Sequence, residues 1–122
     1  MNSIDIRITP VPKPRMTVAD KWKHRPIVDR YFAFKDEITT LCKVGNFKLG
    51  DKYKVEFLIA MPKSWSDSKK KKLFGKPHTQ KPDLDNLIKA LNDCLRKEDM
   101  GVHYVEANKI WWNEGRIIIY NK

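Results

Sequence analysis

The stretch "KPDLDNLIKAL", residues 81–91, contains the residue types that could hold a metal ion against a phosphate. Asp83 and Asp85 are two positions apart, and residues at this spacing point to the same side of an extended segment. Mg2+ binds carboxylate oxygens together with waters and phosphate oxygens. Lys89 follows Asp85 by one helical turn and could neutralise a carboxylate, contact a phosphate or position a water. These three side chains are candidate catalytic residues, and both aspartates are candidate metal ligands.

The same residues also have a purely structural interpretation. Pro82 suits the start of a helix, and Asp83 or Asp85 could cap that helix by accepting backbone N–H bonds. Acidic residues also suit the positive end of the helix dipole. Lys89 could simply form an ion pair with Asp85 within the helix. Both interpretations require a helix that begins near Leu84.

The chain as a whole is strongly basic, with 25 lysines and arginines against 15 acidic residues. This excess favours a polyanionic partner such as nucleic acid, without separating DNA from RNA or binding from catalysis. An acidic pair in such a chain is typical of a metal-dependent nuclease, because carboxylates repel a polyanion unless a metal lies between them. The candidate DNA contacts lie in the basic segments around this pair: Lys13, Arg15, Lys69, Lys70, Lys71, Lys72, His78 and Lys81.

Hydrophobic periodicity predicts the elements that position these residues. The predicted elements are a strand at 2–9, a helix at 29–43, a central strand at 52–61, a helix at 84–99, and two strands at 108–112 and 116–120 joined by a hairpin turn. The order β-α-β-α-β-β predicts an α+β fold of mixed α/β layers, with the sheet packed against two helices in a single domain over residues 1–122.

Residues 62–82 show no period and are rich in lysine and proline, which predicts a basic mobile loop. Within it, Trp65 could stack on unpaired bases, and His78 could touch the scissile phosphate, carry a proton or be an ordinary exposed loop histidine. Cys42 and Cys94 fall in predicted helices and are interpreted as buried thiols without a disulfide, which favours a cytoplasmic protein. No apolar run approaches the ~18 residues of a membrane span.

"KPDLDNLIKALNDCL" resembles the core motif of the RusA family of Holliday-junction resolvases, which carries Asp-x-Asp-Asn-Leu and then a lysine. The preceding "HTQKP" and the loop "PVPKPRMT" are similar to phage-type members. The resemblance implies a homodimer that binds four-way DNA junctions and cuts two strands symmetrically in recombination, repair or phage DNA processing. It also implies Mg2+ or Mn2+ as the cofactor and no small-molecule cofactor.

The resemblance further implies a third essential carboxylate downstream. In "YVEANKI", Glu106 matches the first of two family aspartates, Ala107 falls at the second, which the family uses, and Lys109 replaces a glutamine. A slip of one residue would let Glu106 act as the third catalytic and metal-binding carboxylate, whereas Asp99 is a weaker substitute near the predicted helix end. The alternatives are a DNA-binding relative with weak or lost cleavage and, less favoured, an RNA-directed protein.

Overall fold

A four-stranded sheet with two long helices on one face forms the protein in the computed structural model, which describes residues 2–15, 25–98 and 100–122. The elements along the chain are β1 (Ser3–Ile6), α1 (Pro26–Val44), β2 (Lys52–Ala60), α2 (Asp67–Leu73), α3 (Leu84–Leu95), β3 (Tyr104–Trp112) and β4 (Arg116–Asn121). The predicted α+β class and the packing of the sheet against two helices, α1 and α3, are confirmed.

The strands lie in the order β1-β4-β2-β3. β2 is parallel to β3 and antiparallel to β4, so the predicted central position of β2 is confirmed. The predicted hairpin between the last two strands is wrong, because β2 lies between β3 and β4. Near its end β2 is apolar on both faces, with Phe57 and Leu58 both buried, and such a strand is better protected between two neighbours than at an edge.

The core lies between the sheet and the helices. Tyr53, Val55 and Phe57 of β2 are almost completely buried on this face, as are Ile117 and Ile119 of β4. The two helices contribute an apolar stripe each, and their most buried members are Tyr31, Ile38, Leu87, Ala90 and Leu91. The thiols of Cys42 and Cys94 are free and buried, as predicted.

The segment 62–82 differs from the prediction of a loop without regular structure, because it contains α2. The Ser66 hydroxyl caps this helix by accepting a bond of 3.2 Å from the backbone N–H of Lys69. Asp67 in the first turn and the lysines of the last turn suit the helix dipole. Hydrophobic periodicity could not detect α2, since the helix has no buried residue and therefore no apolar stripe.

The remaining helix ends are close to the prediction. α1 begins at Pro26, a favourable first position, a few residues before the predicted start. α3 ends at Leu95, earlier than predicted, and Asp99 lies outside the described residues. Within the described ranges, no helix combines the length and the apolarity that a membrane crossing requires.

The packing of α3 on the sheet predicts a large loss of stability for Leu91→Ala. Leu91 is 0% exposed, so truncation leaves a cavity, and we expect the free energy of unfolding in urea to fall by about 2–5 kcal/mol. The control is Val44→Ala, because Val44 is 81% exposed, and its effect should stay within about 0.5 kcal/mol. Equal effects of the two variants would contradict the described packing of α3.

Candidate active-site groove

A groove of about 570 Å3 lies beside the N-terminus of α3. It is formed by the loop 9–15, the first turns of α1 and the turn that precedes α3, and its charged and polar lining consists of Thr9, Lys13, Arg15, Arg30, Lys81, Asp83 and Asn86. The structure therefore brings three predicted DNA contacts, Lys13, Arg15 and Lys81, together with the predicted metal ligand Asp83.

The loop 9–15 is held at the groove by contacts at several points. Pro10 and Val11 are buried, and the prolines of this segment restrict the backbone to extended conformations. The backbone N–H of Lys13 donates to the carbonyl oxygen of Asn86 at 3.2 Å, which ties the loop to α3. Gly115 permits a close approach from the other side, because a Cβ atom there would lie 2.7 Å from Thr9 Cα.

Asp93 anchors the side chain of Lys13. Its carboxylate accepts a hydrogen bond from the Tyr31 hydroxyl and lies 3.4 Å from Lys13 Nζ and 3.8 Å from Lys35 Nζ. Burial opposes the ionised form of Asp93, but the Tyr31 hydroxyl and the two ammonium groups outweigh burial and hold the pKa of Asp93 below its usual value. Asp93 is thus an ionised carboxylate that fixes one basic side chain of the groove.

The two aspartates of the motif lie at the start of α3. Asp83 occupies the N-cap position, yet its side chain makes no capping hydrogen bond. Asp85 is in the first turn, and its Oδ2 lies 3.9 Å from Lys89 Nζ, with both side chains mostly exposed. Asp83, one of the two candidates for a helix cap, therefore makes no capping bond, whereas the i,i+4 pair of Asp85 with Lys89 is present.

The backbone of the two aspartates also differs from the predicted extended segment. Asp83 has an extended backbone, but Asp85 is already helical, so strand-like alternation does not describe how the two carboxylates are oriented. What keeps both carboxylates available is their exposure at the positive end of a helix, a place that favours negative charge. The donor set suits a hard divalent cation that completes its coordination with waters and phosphate oxygens.

Glu106 does not lie with these aspartates. It is the third residue of β3, where its carboxylate accepts bonds from the Tyr104 hydroxyl at 2.5 Å and from Lys122 Nζ at 3.1 Å. The Tyr104 bond and the Lys122 bond hold the pKa of Glu106 below its usual value. Its register partner is Lys54, on the sheet face that the helices leave uncovered.

The neighbouring residues of β3 confirm this orientation. Ala107 is paired in register with the buried Val55 and packs against the core, so residues 107 and 109 face the helices and Glu106 faces away. The predicted third carboxylate from Glu106 thus has no geometrical support. In the described part of the chain, no group of three aspartate, glutamate, histidine or cysteine side chains could hold a metal ion.

His78 is not the exposed loop histidine or phosphate contact of the sequence interpretation. It is only 4% exposed, and its ring lies 4.3 Å from that of Trp111. Burial and the nearby charge of Lys109 lower the pKa of His78, so the folded protein favours the neutral imidazole. A DNA contact from His78 would require it to leave this packing.

The α2 region presents lysines rather than a free aromatic wedge. Trp65 packs on Trp111 with ring centroids 4.7 Å apart, and Lys69 Nζ lies 4.3 Å from the centre of the Trp65 ring. Lys69, Lys71 and Lys72 are exposed. They lie on α2 and do not line the groove.

Three side chains near the motif were missed by the sequence reasoning. Arg30 of α1 lines the groove, and its only sequence signal was its positive charge. Asn86 follows Asp85 in the motif and was noted only as part of the family pattern. Lys109 donates to backbone carbonyls beside Asp83, and its only sequence signal was that it stands where the family has glutamine.

A family model described as endodeoxyribonuclease RusA matches residues 7–120, which include every residue of the groove. No curated protein sequence matches the chain. A basic groove that contains the exposed Asp83 carboxylate, with Asp85 two residues further on, agrees with the activity that this description names.

The ionisation of Asp93 predicts a pH-dependent effect of Asp93→Asn. The pKa of Asp93 is lower in the folded protein than in the unfolded chain, where it is about 3.9. The ionised Asp93 carboxylate therefore stabilises the fold at pH values above the unfolded pKa, and this stabilisation disappears as the pH falls through the folded pKa. We expect the loss of unfolding free energy in Asp93→Asn to be largest near neutral pH and to shrink below about pH 4. Urea unfolding from pH 7 to pH 3 measures it, and a loss that stays constant would contradict the role given to the ionised carboxylate.

Proposed function

The chain belongs to the RusA family of endodeoxyribonucleases, and from this membership and the groove we propose a metal-dependent endonuclease that resolves four-way DNA junctions. The family acts on branched DNA junctions. The observation that carries the proposal is the position of the Asp83 carboxylate, free of a capping bond, in a groove lined by Lys13, Arg15 and Lys81.

Asp83 and Asp85 would hold the ion, which we propose to be Mg2+ with Mn2+ as a possible substitute. Two exposed carboxylates fit Mg2+, which is commonly bound by one or two protein carboxylates together with substrate phosphates. Such an ion, when bound, lowers the pKa of a water and stabilises charge on the phosphate. Glu106 is left out of this site because its carboxylate is bound to Tyr104 and Lys122 on the other sheet face.

The basic residues of the groove would hold the DNA backbone on both sides of the reacting phosphate. Lys13 and Arg15 belong to the loop 9–15, Arg30 to α1 and Lys81 to the turn before α3, so the positive charge comes from three separate segments. Lys89 lies beyond Asp85 on α3 and is mostly exposed, which allows it to contact a further phosphate or to balance the carboxylates. Affinity for DNA should consequently fall steeply with salt.

The central test is cleavage of a synthetic four-way junction in Mg2+, in Mn2+ and in EDTA. Loss of a ligand to a catalytic ion removes several kcal/mol of transition-state stabilisation, so we expect Asp83→Asn and Asp85→Asn each to lower kcat by about 100-fold or more. Junction binding in EDTA should persist in both variants, because neither carboxylate attracts DNA.

The matched control is Asp36→Asn, which removes an exposed carboxylate from α1 outside the groove and should cut like the wild type. Glu106→Gln tests the third carboxylate, and we expect cleavage within a few-fold of the wild type. A 100-fold loss in Glu106→Gln would restore Glu106 to the site. A wild-type chain that binds junctions tightly and leaves them uncut would make it a DNA-binding protein without cleavage.

We further propose a homodimer, because a two-fold symmetric pair of subunits suits a substrate with two equivalent strands to cut. Sedimentation velocity of the chain with and without a four-way junction should give two subunits per junction. A single subunit bound to each junction at saturation would contradict this stoichiometry. The DNA substrate and the two free thiols favour the cytoplasm of a bacterial or phage-infected cell as the place of action.

A further inference from the structure

Lys109 makes contacts that neither the motif nor the proposed reaction explains. It lies on β3 and faces the helices, with a half-buried side chain. Its Nζ donates to the carbonyl oxygen of Gln80 at 2.5 Å and to that of Pro82 at 2.7 Å. These two carbonyl groups belong to the residues on either side of Lys81, and Asp83 follows Pro82. The ammonium group thus ties the middle of β3 to the turn that carries the first carboxylate of the motif.

The positive charge of Lys109 is not neutralised by these bonds. Carbonyl groups are dipoles rather than charges, and among the described residues no carboxylate lies within ion-pair distance of Lys109 Nζ. An ammonium group has three N–H donors, of which two are used. A partly buried charge without a counter-ion is costly, and an anion from outside the protein would relieve that cost.

The described residues around the Lys109 ammonium group provide no ion pair that would balance its charge. Burial and then the charge of Lys109 lower the pKa of His78, whose backbone N–H donates to the Lys109 carbonyl oxygen at 3.0 Å. Two positions earlier on the same strand face, residue 107 is an alanine and provides no negative charge. The turn that Lys109 holds also lines the groove, through Lys81, Pro82 and Asp83.

We propose that Lys109 is a phosphate-binding residue of this site, which contacts a non-bridging oxygen of the DNA backbone through its remaining N–H donor while it positions the turn before Asp83. The inference rests on the proposed function, since DNA is the anion it assigns. A lysine that only braces the turn would make the same two carbonyl bonds. The two roles must therefore be distinguished by variants that remove the positive charge but keep a hydrogen-bond donor, and not by variants that remove the whole side chain.

The experiment compares Lys109→Gln with Lys109→Arg. Glutamine can still donate to a carbonyl but carries no charge, whereas arginine keeps the charge. Junction affinity is measured in EDTA at several salt concentrations, where the slope of log K against log salt counts the phosphates that the protein neutralises. Circular dichroism melting curves establish that each variant is folded. The matched control is Lys43→Gln in the last turn of α1, roughly 20 Å from Arg30 at 1.5 Å rise per residue.

We expect the slope of Lys109→Gln to be smaller than that of the wild type by about 0.9, the value of one phosphate contact. The slopes of Lys109→Arg and Lys43→Gln should equal that of the wild type. A wild-type slope in Lys109→Gln, with only a lower melting temperature, would reduce Lys109 to a structural brace and overturn the proposal.

A second measurement uses the wild-type chain and keeps the inference testable if Lys109→Gln does not fold. The ammonium resonance of Lys109 should shift in NMR spectra when a short DNA duplex is added, and an unchanged resonance at saturation would contradict a phosphate contact. The proposed cleavage is judged separately. If the wild type fails to cut while Lys109→Gln loses one phosphate contact, the enzymatic proposal fails and the phosphate site stands.

Discussion

The packing of α3 on the sheet is the interaction on which the rest of the site depends. Leu87, Ala90 and Leu91 are almost completely buried, which fixes the rotation of the helix about its axis. With these positions turned inward, Asp85 and Lys89 necessarily point outward, and the helix begins where Asp83 meets the groove. The same helix receives the backbone of Lys13 at Asn86 and its side chain at Asp93, so it also positions the first basic loop.

The basic side chains of the groove include one that is held by an ion pair within the protein. Lys13 is held by Asp93, and this pair limits the motion of a side chain that DNA would otherwise have to order on binding. Arg15, Arg30 and Lys81 supply positive charge from three separate segments that line the same groove as Asp83. In the proposed function, a bound cation would reconcile the Asp83 and Asp85 carboxylates with the phosphates of DNA.

The sequence was sufficient for those features that depend on local pattern. The stripe of Leu84, Leu87, Ile88 and Leu91 predicted α3, and the two apolar faces of β2 predicted a central strand; both are confirmed. Features that depend on partners distant in sequence were not accessible. The strand order, which replaces the predicted hairpin, and the burial of His78 against Trp111 arise only when the sheet is assembled.

The interpretation of Glu106 shows how a small error in an element boundary changes chemistry. The predicted strand began at residue 108, which left Glu106 before the strand, where a slip of one residue against the family pattern could make it the third carboxylate. The observed strand begins at Tyr104, so alternation already governs residue 106 and turns its carboxylate away from α3. The same alternation turns Lys109 towards the turn before Asp83.

The direction in which each side chain of β3 points also alters the charge balance of the proposed site. Three carboxylates around one divalent ion leave a net negative charge, which opposes the approach of a phosphate. In the proposed site, two carboxylates with a divalent ion and the Lys109 ammonium would leave a net positive charge, which would attract a phosphate once the ion is bound. With alanine at 107 and lysine at 109, the proposed ion-loaded site would therefore attract a phosphate rather than repel it.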